Sequence, residues 1–351
     1  MAKATEIIKF FEMQLGHFSD RSARWLFQNR EYLQGLLQIV ARHLVPWIDF
    51  SQLKLIERSF LADNLEELVA DLVFRVPFRD ESGTDELFIY ILVEHQSTVD
   101  KQMAFRVNSY MNQILALQRR EWVTNNIPES EWRYAPVIPI VFYTGEQRWN
   151  APLTLDALMD VPDVLSEFIP KFKILLLDVK ATAPDTLTRT GHPLGWLLTV
   201  LQKENASEAE IERTLIESIS HLNTLAEEQI EQWKIAIAYF LLLILHRRPA
   251  KQHDGLKAVV QNQIPLSRRK EVTEMVYSMA DRLLEQGEKR GIERGREEGR
   301  EQGREEGTEQ TRTVIATAML NDNQSIDTIA KYTGLSEEEI EQLTESVSAS
   351  R

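Results

Sequence analysis

The chain contains no cysteine. That excludes a disulfide framework and any cysteine-ligated metal, and it makes a reducing cytoplasm the expected setting. A long apolar run is missing too. The longest, Ile235 to Leu245, falls far short of a membrane span and reads as a buried core helix. The opening residues, Met1-Ala2-Lys3-Ala4-Thr5-Glu6, lack a basic stretch leading into an apolar one, so no signal peptide is expected. Basic surplus is absent as well. The net charge is −14, with 20 Lys/Arg against 26 Asp/Glu in residues 1–200 and 20 against 28 in residues 201–351. Neither half carries a field that would draw it onto a polyanion, which counts against a nonspecific nucleic-acid-coating protein. A local basic patch remains compatible with this balance, because phosphate contacts act at short range once salt screens the field. Arg75, Arg79, Lys101, Arg106, Arg119 and Arg120 lie close enough in sequence to suggest one.

What is present begins with size: 351 residues, 43% of them hydrophobic, can bury a sizeable core. The most informative stretch is a strand-like pair, Leu68–Val76 and Leu87–Gln96, around the polar turn Arg79–Glu86. Val, Ile, Phe and Tyr flanking a Gly-containing polar cluster signal a hairpin. Each arm holds a carboxylate, Asp71 and Glu94, and acids are rarely buried without a partner or a metal. Side chains alternate along a strand, so Glu94 and Gln96 share one face and His95 points to the other. With Asp71 across the hairpin, two carboxylates and an amide would converge at a sheet end, a set suited to a hard divalent cation. The plainer alternative is an exposed edge where both acids meet water.

The series Ala70-Asp71-Leu72-Val73-Phe74, Leu92-Val93-Glu94-His95-Gln96-Ser97, Met103–Met111 and Pro136–Gly145 with Trp149 resembles the Rpn family. These are bacterial recombination-promoting nucleases, also labelled putative transposases, of the PD-(D/E)xK nuclease superfamily. The resemblance covers roughly residues 5 to 180 well and the rest more loosely. It implies an α/β fold: a restriction-endonuclease-like core, with a mixed sheet flanked by helices, and a helical C-terminal half. It also implies a metal-dependent DNA endonuclease. In it Asp71, Glu94 and the backbone carbonyl of His95 hold Mg²⁺, which lowers the pKa of a bound water and neutralises charge developing at phosphorus. Gln96 takes the place usually held by Lys. It can hydrogen-bond the water but offers no positive charge, so Arg106 is a candidate replacement cation. An acid from the preceding helix often adds a ligand in this superfamily; of Asp63, Glu66 and Glu67, only Glu67 is retained, the others reading as a solvated helix face.

Along the chain, Ile7, Ile8, Phe11 and Leu15, then Leu33, Leu36, Leu37, Val40 and Leu44, follow the helical period, with Pro46 as a stop. Met103, Val107, Tyr110, Met111, Ile114 and Leu117 predict an amphipathic helix before a polar loop near 125–130 and a buried strand at Val137–Tyr143. Strand, helix, strand favours parallel pairing. A further strand is expected at Phe172–Val179, then helices at Leu194–Leu201, Ala209–Leu222, Ala226–Leu245 and Arg268–Leu284, with a polar segment before the last. The expected divisions are a core at 1–190, a helical region at 191–284, a charged segment at 285–312 and a small helical unit at 313–351. In the charged segment Gly287, Gly291, Gly295, Gly299, Gly303 and Gly307 recur every fourth residue. Each costs a helix about 0.8–1 kcal/mol relative to Ala, so a close-packing helical stripe and a flexible linker stay equally open.

His95 and His192 read as packed or hydrogen-bonded histidines, Tyr143 and Trp149 as packing at a strand end, and Asp178 as a cap or loop acid. The tail Ile326–Ser336 resembles a helix-turn-helix. However, Glu337, Glu338, Glu339 and Glu341 crowd the following helix and would repel phosphate. Protein contact is the better reading, with Ser336 and Glu339 forming a capping box. The expected partners are DNA and a second copy of the chain, most simply a dimer joined through the tail, with no membrane. The competing expectation is a catalytically silent interaction protein that keeps the nuclease fold.

Overall fold

The computed structural model describes residues 18–56, 72–79, 86–269, 311–322, 324–336 and 338–343. The chain divides into two compact units, Met1–Met279 and Ala280–Arg351. The first is built on a five-stranded sheet with the strands in sequence order: β1 (Lys54–Leu55), β2 (Leu72–Arg79), β3 (Glu86–Gln96), β4 (Val137–Tyr143) and β5 (Leu175–Asp178). β1, β2 and β3 pair antiparallel, and β3, β4 and β5 pair parallel. The expected hairpin is therefore β2–β3, its register running from Arg79↔Glu86 to Leu72↔Val93. Asp71 and Glu67, and the turn at 80–85, lie outside the described residues.

The parallel step from β3 to β4 needs a crossover, and helix α3 (Met103–Thr124) supplies it. Met103, Val107, Tyr110, Ile114 and Leu117, spaced at helical intervals, are all buried against the sheet. The loop that returns to β4 is fastened to α3 by a reciprocal pair: Gln118 Nε2 donates to the Ala135 carbonyl at 3.1 Å, and the Ala135 N–H donates to Gln118 Oε1 at 2.7 Å. Trp132 stacks on Trp122 with ring centroids 5.4 Å apart.

Alternation along β3 divides the core in two. Ile89, Ile91 and Val93 join Phe74, Phe142 and Leu177 in a large cluster on one face of the sheet. Tyr90 and Leu92 join Val73, Val141 and Tyr143 beneath α3 on the other. With both faces covered, β3 reads as an almost unbroken apolar run. The large cluster is filled by α1 (Phe18–Gln28), α2 (Arg30–Val40) and the helices that follow the sheet. Those are α4 (Pro184–Thr188), α5 (Pro193–Gln202), α6 (Glu208–Leu222), α7 (Ile230–Arg247) and α8 (Ala250–Gln263). Every residue from Ile235 to Ile244 is buried, so α7 is the core helix its apolar run predicts. Phe27 meets Phe142 edge-on at 4.8 Å, which ties α1 to the sheet.

Three expectations need correction. The polar segment after α7 is the helix α8, held by only two fully buried residues, Leu256 and Val260, too few to show a period. Helix α2 ends at Val40, where Ala41 turns to φ −149°, and Pro46 sits inside a following 3₁₀ turn, Arg42–Trp47. The first 65 residues, expected from their sequence to be helical, also contain the short edge strand β1. Residues 270–310, with the glycine repeat and most of the expected Arg268–Leu284 helix, lie outside the described residues. In the second unit, helices at 311–321, Ile326–Thr333 and 338–343 enclose Ala316, Ile329 and Ile340. Gly334 ends the middle helix at φ +69°, a left-handed cap suited to glycine. Ser336 and Glu339 form the reciprocal capping box: the Ser336 N–H donates to Glu339 Oε2 at 2.7 Å, and the Glu339 N–H donates to Ser336 Oγ at 3.3 Å.

Among the described residues no helix is long and apolar enough to cross a membrane.

Candidate active site at the end of the central strand

β3 is the middle strand, and its last residues lie at the edge where the parallel strands end, with Gln96 beside Tyr143 and Tyr143 beside Asp178. In open α/β sheets this carboxyl edge is where ligands bind. The chain leaves β3 through Ser97 and re-enters the structure as α3, so the start of that helix stands over the strand end. Gly145 lets the β4 loop pass closely: a Cβ there would lie 2.6 Å from the Ser97 carbonyl oxygen.

Glu94 is only 2% exposed and faces α3, on the same side as Gln96, as strand alternation requires. Gln96 Nε2 donates to Glu94 Oε1 at 3.2 Å. Arg106, near the start of α3, donates through Nη2 to the same oxygen at 2.7 Å. The guanidinium is held at two further points. Nη1 donates to Asp100 Oδ2 at 2.7 Å, and Nη2 also donates to the hydroxyl of buried Tyr110 at 3.0 Å. Asp100 is fixed in turn, because its Oδ1 accepts the Gln102 N–H at 2.8 Å where α3 begins. Burial opposes the charge on Arg106, but the hydrogen bonds to Tyr110 and Asp100, together with the charge of Glu94, outweigh it. They raise the pKa above the ordinary guanidinium value. Arg106 is thus a permanent cation at the strand end.

His95 faces the opposite side, 6% exposed, with Nε2 paired to Thr144 Oγ1 at 2.9 Å and its ring tilted against Phe142. Its side chain is thus turned away from the face that carries Glu94. His192 accepts the Leu194 N–H through Nδ1 and caps α5. Tyr143 and Trp149 pack edge-to-face at 5.0 Å. Asp178 accepts the N–H groups of Trp149 and Ala181, at 2.9 and 3.0 Å, and so shapes two loops.

The basic patch suggested by sequence does not assemble around Glu94. Arg119 is thirteen residues beyond Arg106 on α3, a distance of about 20 Å along a helix. Arg75 lies over the Phe88 ring at 4.0 Å and 3.7 Å from Glu121, toward that far end. Of the expected arginines, Arg106 is bonded to the acid. Asp100 and Tyr110 were not foreseen. Tyr110 stands four residues after Arg106, a spacing that puts both on one helix face.

A divalent cation can be weighed against these donors. The carboxylate of Glu94 and the amide oxygen of Gln96 are hard oxygen ligands of the right kind. They are too few by themselves: among the described residues no three His, Cys, Asp or Glu side chains group closely enough to hold a metal. The described register of β2 and β3 stops at Leu72↔Val93, one residue short of Asp71 on one strand and of Glu94 on the other.

The family model described as "Putative transposase, YhgA-like" matches residues 19–232, a span that holds the whole sheet, α3 and the Glu94 cluster. The chain belongs to the YhgA-like family. Among its relatives, the recombination-promoting nuclease RpnA of Escherichia coli K12 is 26% identical over 295 residues, covering 83% of this chain and 85% of the relative. The recombination-promoting nuclease RpnD of Escherichia coli O157:H7 is 35% identical over 159 residues, 44% of this chain and 55% of the relative. A third, the inactive recombination-promoting nuclease-like protein RpnE of Escherichia coli K12, is 29% identical over 174 residues, 49% of this chain and 52% of the relative. No solved structure matches the chain.

Proposed function

We propose that this protein is a metal-dependent DNA endonuclease of the PD-(D/E)xK type that promotes recombination- or transposition-like events. The observation that carries the reading is Glu94. It is a carboxylate almost fully buried at the carboxyl end of the central strand, sharing its oxygen with Gln96 and with a permanent cation. Glu94 and Asp71, with the His95 backbone carbonyl, would hold Mg²⁺, and Glu67 is a candidate further ligand. The ion would supply Lewis acidity to the scissile phosphate and lower the pKa of the attacking water. Gln96 orients that water through its amide. Arg106 provides the positive charge that the amide lacks, facing the phosphate as negative charge develops on it. A dimer would bring two such sites to a duplex. The test is nicking of supercoiled plasmid in Mg²⁺ by the wild type beside Asp71→Asn and Glu94→Gln. Loss of nicking in both variants is expected; equal nicking by all three would remove these acids from the chemistry.

A second reading, a catalytically silent protein on the same fold, is favoured by the similarity to the inactive relative RpnE and by Gln96 where the superfamily motif has Lys. Calorimetric titration with Mg²⁺ and Mn²⁺ separates the two. Heat that disappears in Glu94→Gln speaks against silence.

A further inference from the structure

α2 packs on the sheet face opposite the one that carries Glu94, and a cavity of about 200 Å³ opens at its end. One wall is the last turn of α2 with the 3₁₀ turn after it, bearing Gln38, Arg42, Val45 and Pro46. The other is the turn between α4 and α5, bearing Arg189 and Thr190. The walls are joined where His192 meets Tyr32 edge-on, ring centroids 5.8 Å apart. Gly35, lacking a side chain, leaves room there for the imidazole. Gln38 follows Gly35 by one helical turn on the same face. Acids outnumber bases 54 to 40 in this chain, so an arginine ordinarily finds a carboxylate. Among the described residues, however, neither the Arg42 nor the Arg189 guanidinium makes an ion pair or hydrogen bond, and the lining holds no carboxylate.

We propose that this cavity is an anion site for a phosphate group, with Arg42 and Arg189 as its two clamps. Two like charges on one cavity repel, and a dianion between them turns that repulsion into attraction. A guanidinium fork matches two phosphate oxygens at once. The other polar groups of the lining suit the same ligand. Thr190 Oγ1 accepts the His192 N–H at 3.3 Å, which leaves its own proton to donate, and the Gln38 amide offers two more N–H groups. The volume sets the limit. It is below that of pockets for larger small molecules, roughly 300–1,000 Å³, so the phosphate enters and whatever carries it stays outside. Inorganic phosphate and the terminal phosphate of a DNA strand present this same chemistry. Neither Glu94 nor a metal takes part, so the site stands or falls apart from the nuclease reading.

The test titrates inorganic phosphate calorimetrically into the full-length wild type at low ionic strength. Arg42→Gln, Arg189→Gln and the double variant follow, with Arg30→Gln as the control. Arg30 is an exposed arginine of α2 that is paired with Glu31 and lies outside the cavity. One phosphate per chain is expected, bound about tenfold more weakly in each single variant and not at all in the double. Arg30→Gln should bind as the wild type does, and added salt should weaken binding throughout. Melting followed by circular dichroism gives a second readout: phosphate should raise the midpoint of the wild type and of Arg30→Gln, but not of the double variant. Should the double variant fail to fold, Arg42→Lys with Arg189→Lys decides. It keeps the charge and loses the fork, so binding as tight as in the wild type overturns the clamp. No uptake by the wild type at millimolar phosphate, or uptake that survives the double glutamine substitution, overturns the proposal outright. A short 5′-phosphorylated oligothymidylate and its 5′-hydroxyl form then separate the sources. If only the phosphorylated strand displaces inorganic phosphate, the site takes a strand terminus; if neither does, it takes free phosphate, and both results uphold it. Equal displacement by the two forms overturns a site for a terminal phosphate.

Discussion

The two faces of the sheet are built from the same strands and do different work. Along β3, odd-numbered Ile89, Ile91 and Val93 enter the large cluster, and its last odd residue, His95, is paired with Thr144 and packed on Phe142. Even-numbered Tyr90 and Leu92 start an apolar row that ends in Glu94 and Gln96, joined to Arg106, Asp100 and Tyr110. One face finishes its strand with a histidine–threonine hydrogen bond and the other with a cluster of carboxylates and a guanidinium. Burial of an acid does not by itself separate them from the rest of the molecule. Glu204, 3% exposed, is also held by cations, with Lys180 on Oε1 at 3.0 Å and Arg247 on Oε2 at 2.8 Å. Those partners tie the loop after β5 to the end of α7, so Glu204 is structural. Glu94 instead shares one oxygen between an amide and a cation that has another carboxylate to hold.

The contrast is broken most sharply at Glu94. Glu94→Gln keeps the volume and a hydrogen-bonding group and removes the charge. Plasmid nicking in Mg²⁺ is expected to drop by about 10³-fold, roughly 4 kcal/mol of transition-state stabilisation. The melting temperature should stay near that of the wild type. On the other face, Phe142→Ala should do the reverse. It removes a 2% exposed ring packed on Phe27 and is expected to cost about 3–5 kcal/mol in urea unfolding. Nicking by the protein that remains folded should be normal. If Phe142→Ala slowed nicking without loss of stability, the division of labour between the faces would fail.

The sequence carried the hairpin, the parallel crossover and the common face of Glu94 and Gln96, because these depend on periods of two and 3.6 and on short connections. It carried Arg106 as a candidate because that residue opens the next helix. It did not carry Asp100, whose place depends on how a short loop turns into α3. The arginine patch misled for a related reason. Arg75, Arg106 and Arg119 are neighbours on a list of motifs, while α3 holds the last two at opposite ends of the sheet. Helix α8 was missed because its buried surface is two residues wide. Asp71, Glu67 and the glycine repeat lie outside the described residues, so on them the sequence speaks alone.

A smaller effect separates the faces by pH. His192 sits behind the apolar face, and burial lowers its pKa from 6.5 to about 4, against weaker raising effects from Glu31. In the unfolded chain it takes up a proton near pH 6.5, whereas in the folded protein it resists until about pH 4. The unfolded state therefore binds more protons between those values, and stability rises with pH across that window. Its contribution is full above about pH 6.5 and is lost as pH falls through 4, roughly 2 kcal/mol in all once partial exposure is allowed for. Urea midpoints measured from pH 4 to 7 should show this slope in the wild type and a flatter one in His192→Asn.

The smallest expected effect lies at the start of α2, whose Tyr32, Leu33, Leu36 and Leu37 are buried in the apolar-face cluster. Asn29 caps that helix: its Oδ1 accepts the N–H groups of Glu31 at 3.1 Å and Tyr32 at 3.4 Å, satisfying donors that the helix cannot. Asn29→Ala is expected to cost about 1 kcal/mol in urea unfolding. Asn29→Ser should recover most of it, because a hydroxyl can cap the same groups. Neither change touches the face that carries Glu94, so nicking rates per folded molecule should match the wild type. A rate change in Asn29→Ala that Asn29→Ser does not restore would mean that α2 reaches the chemistry through the sheet, and the separation of the two faces would have to be given up.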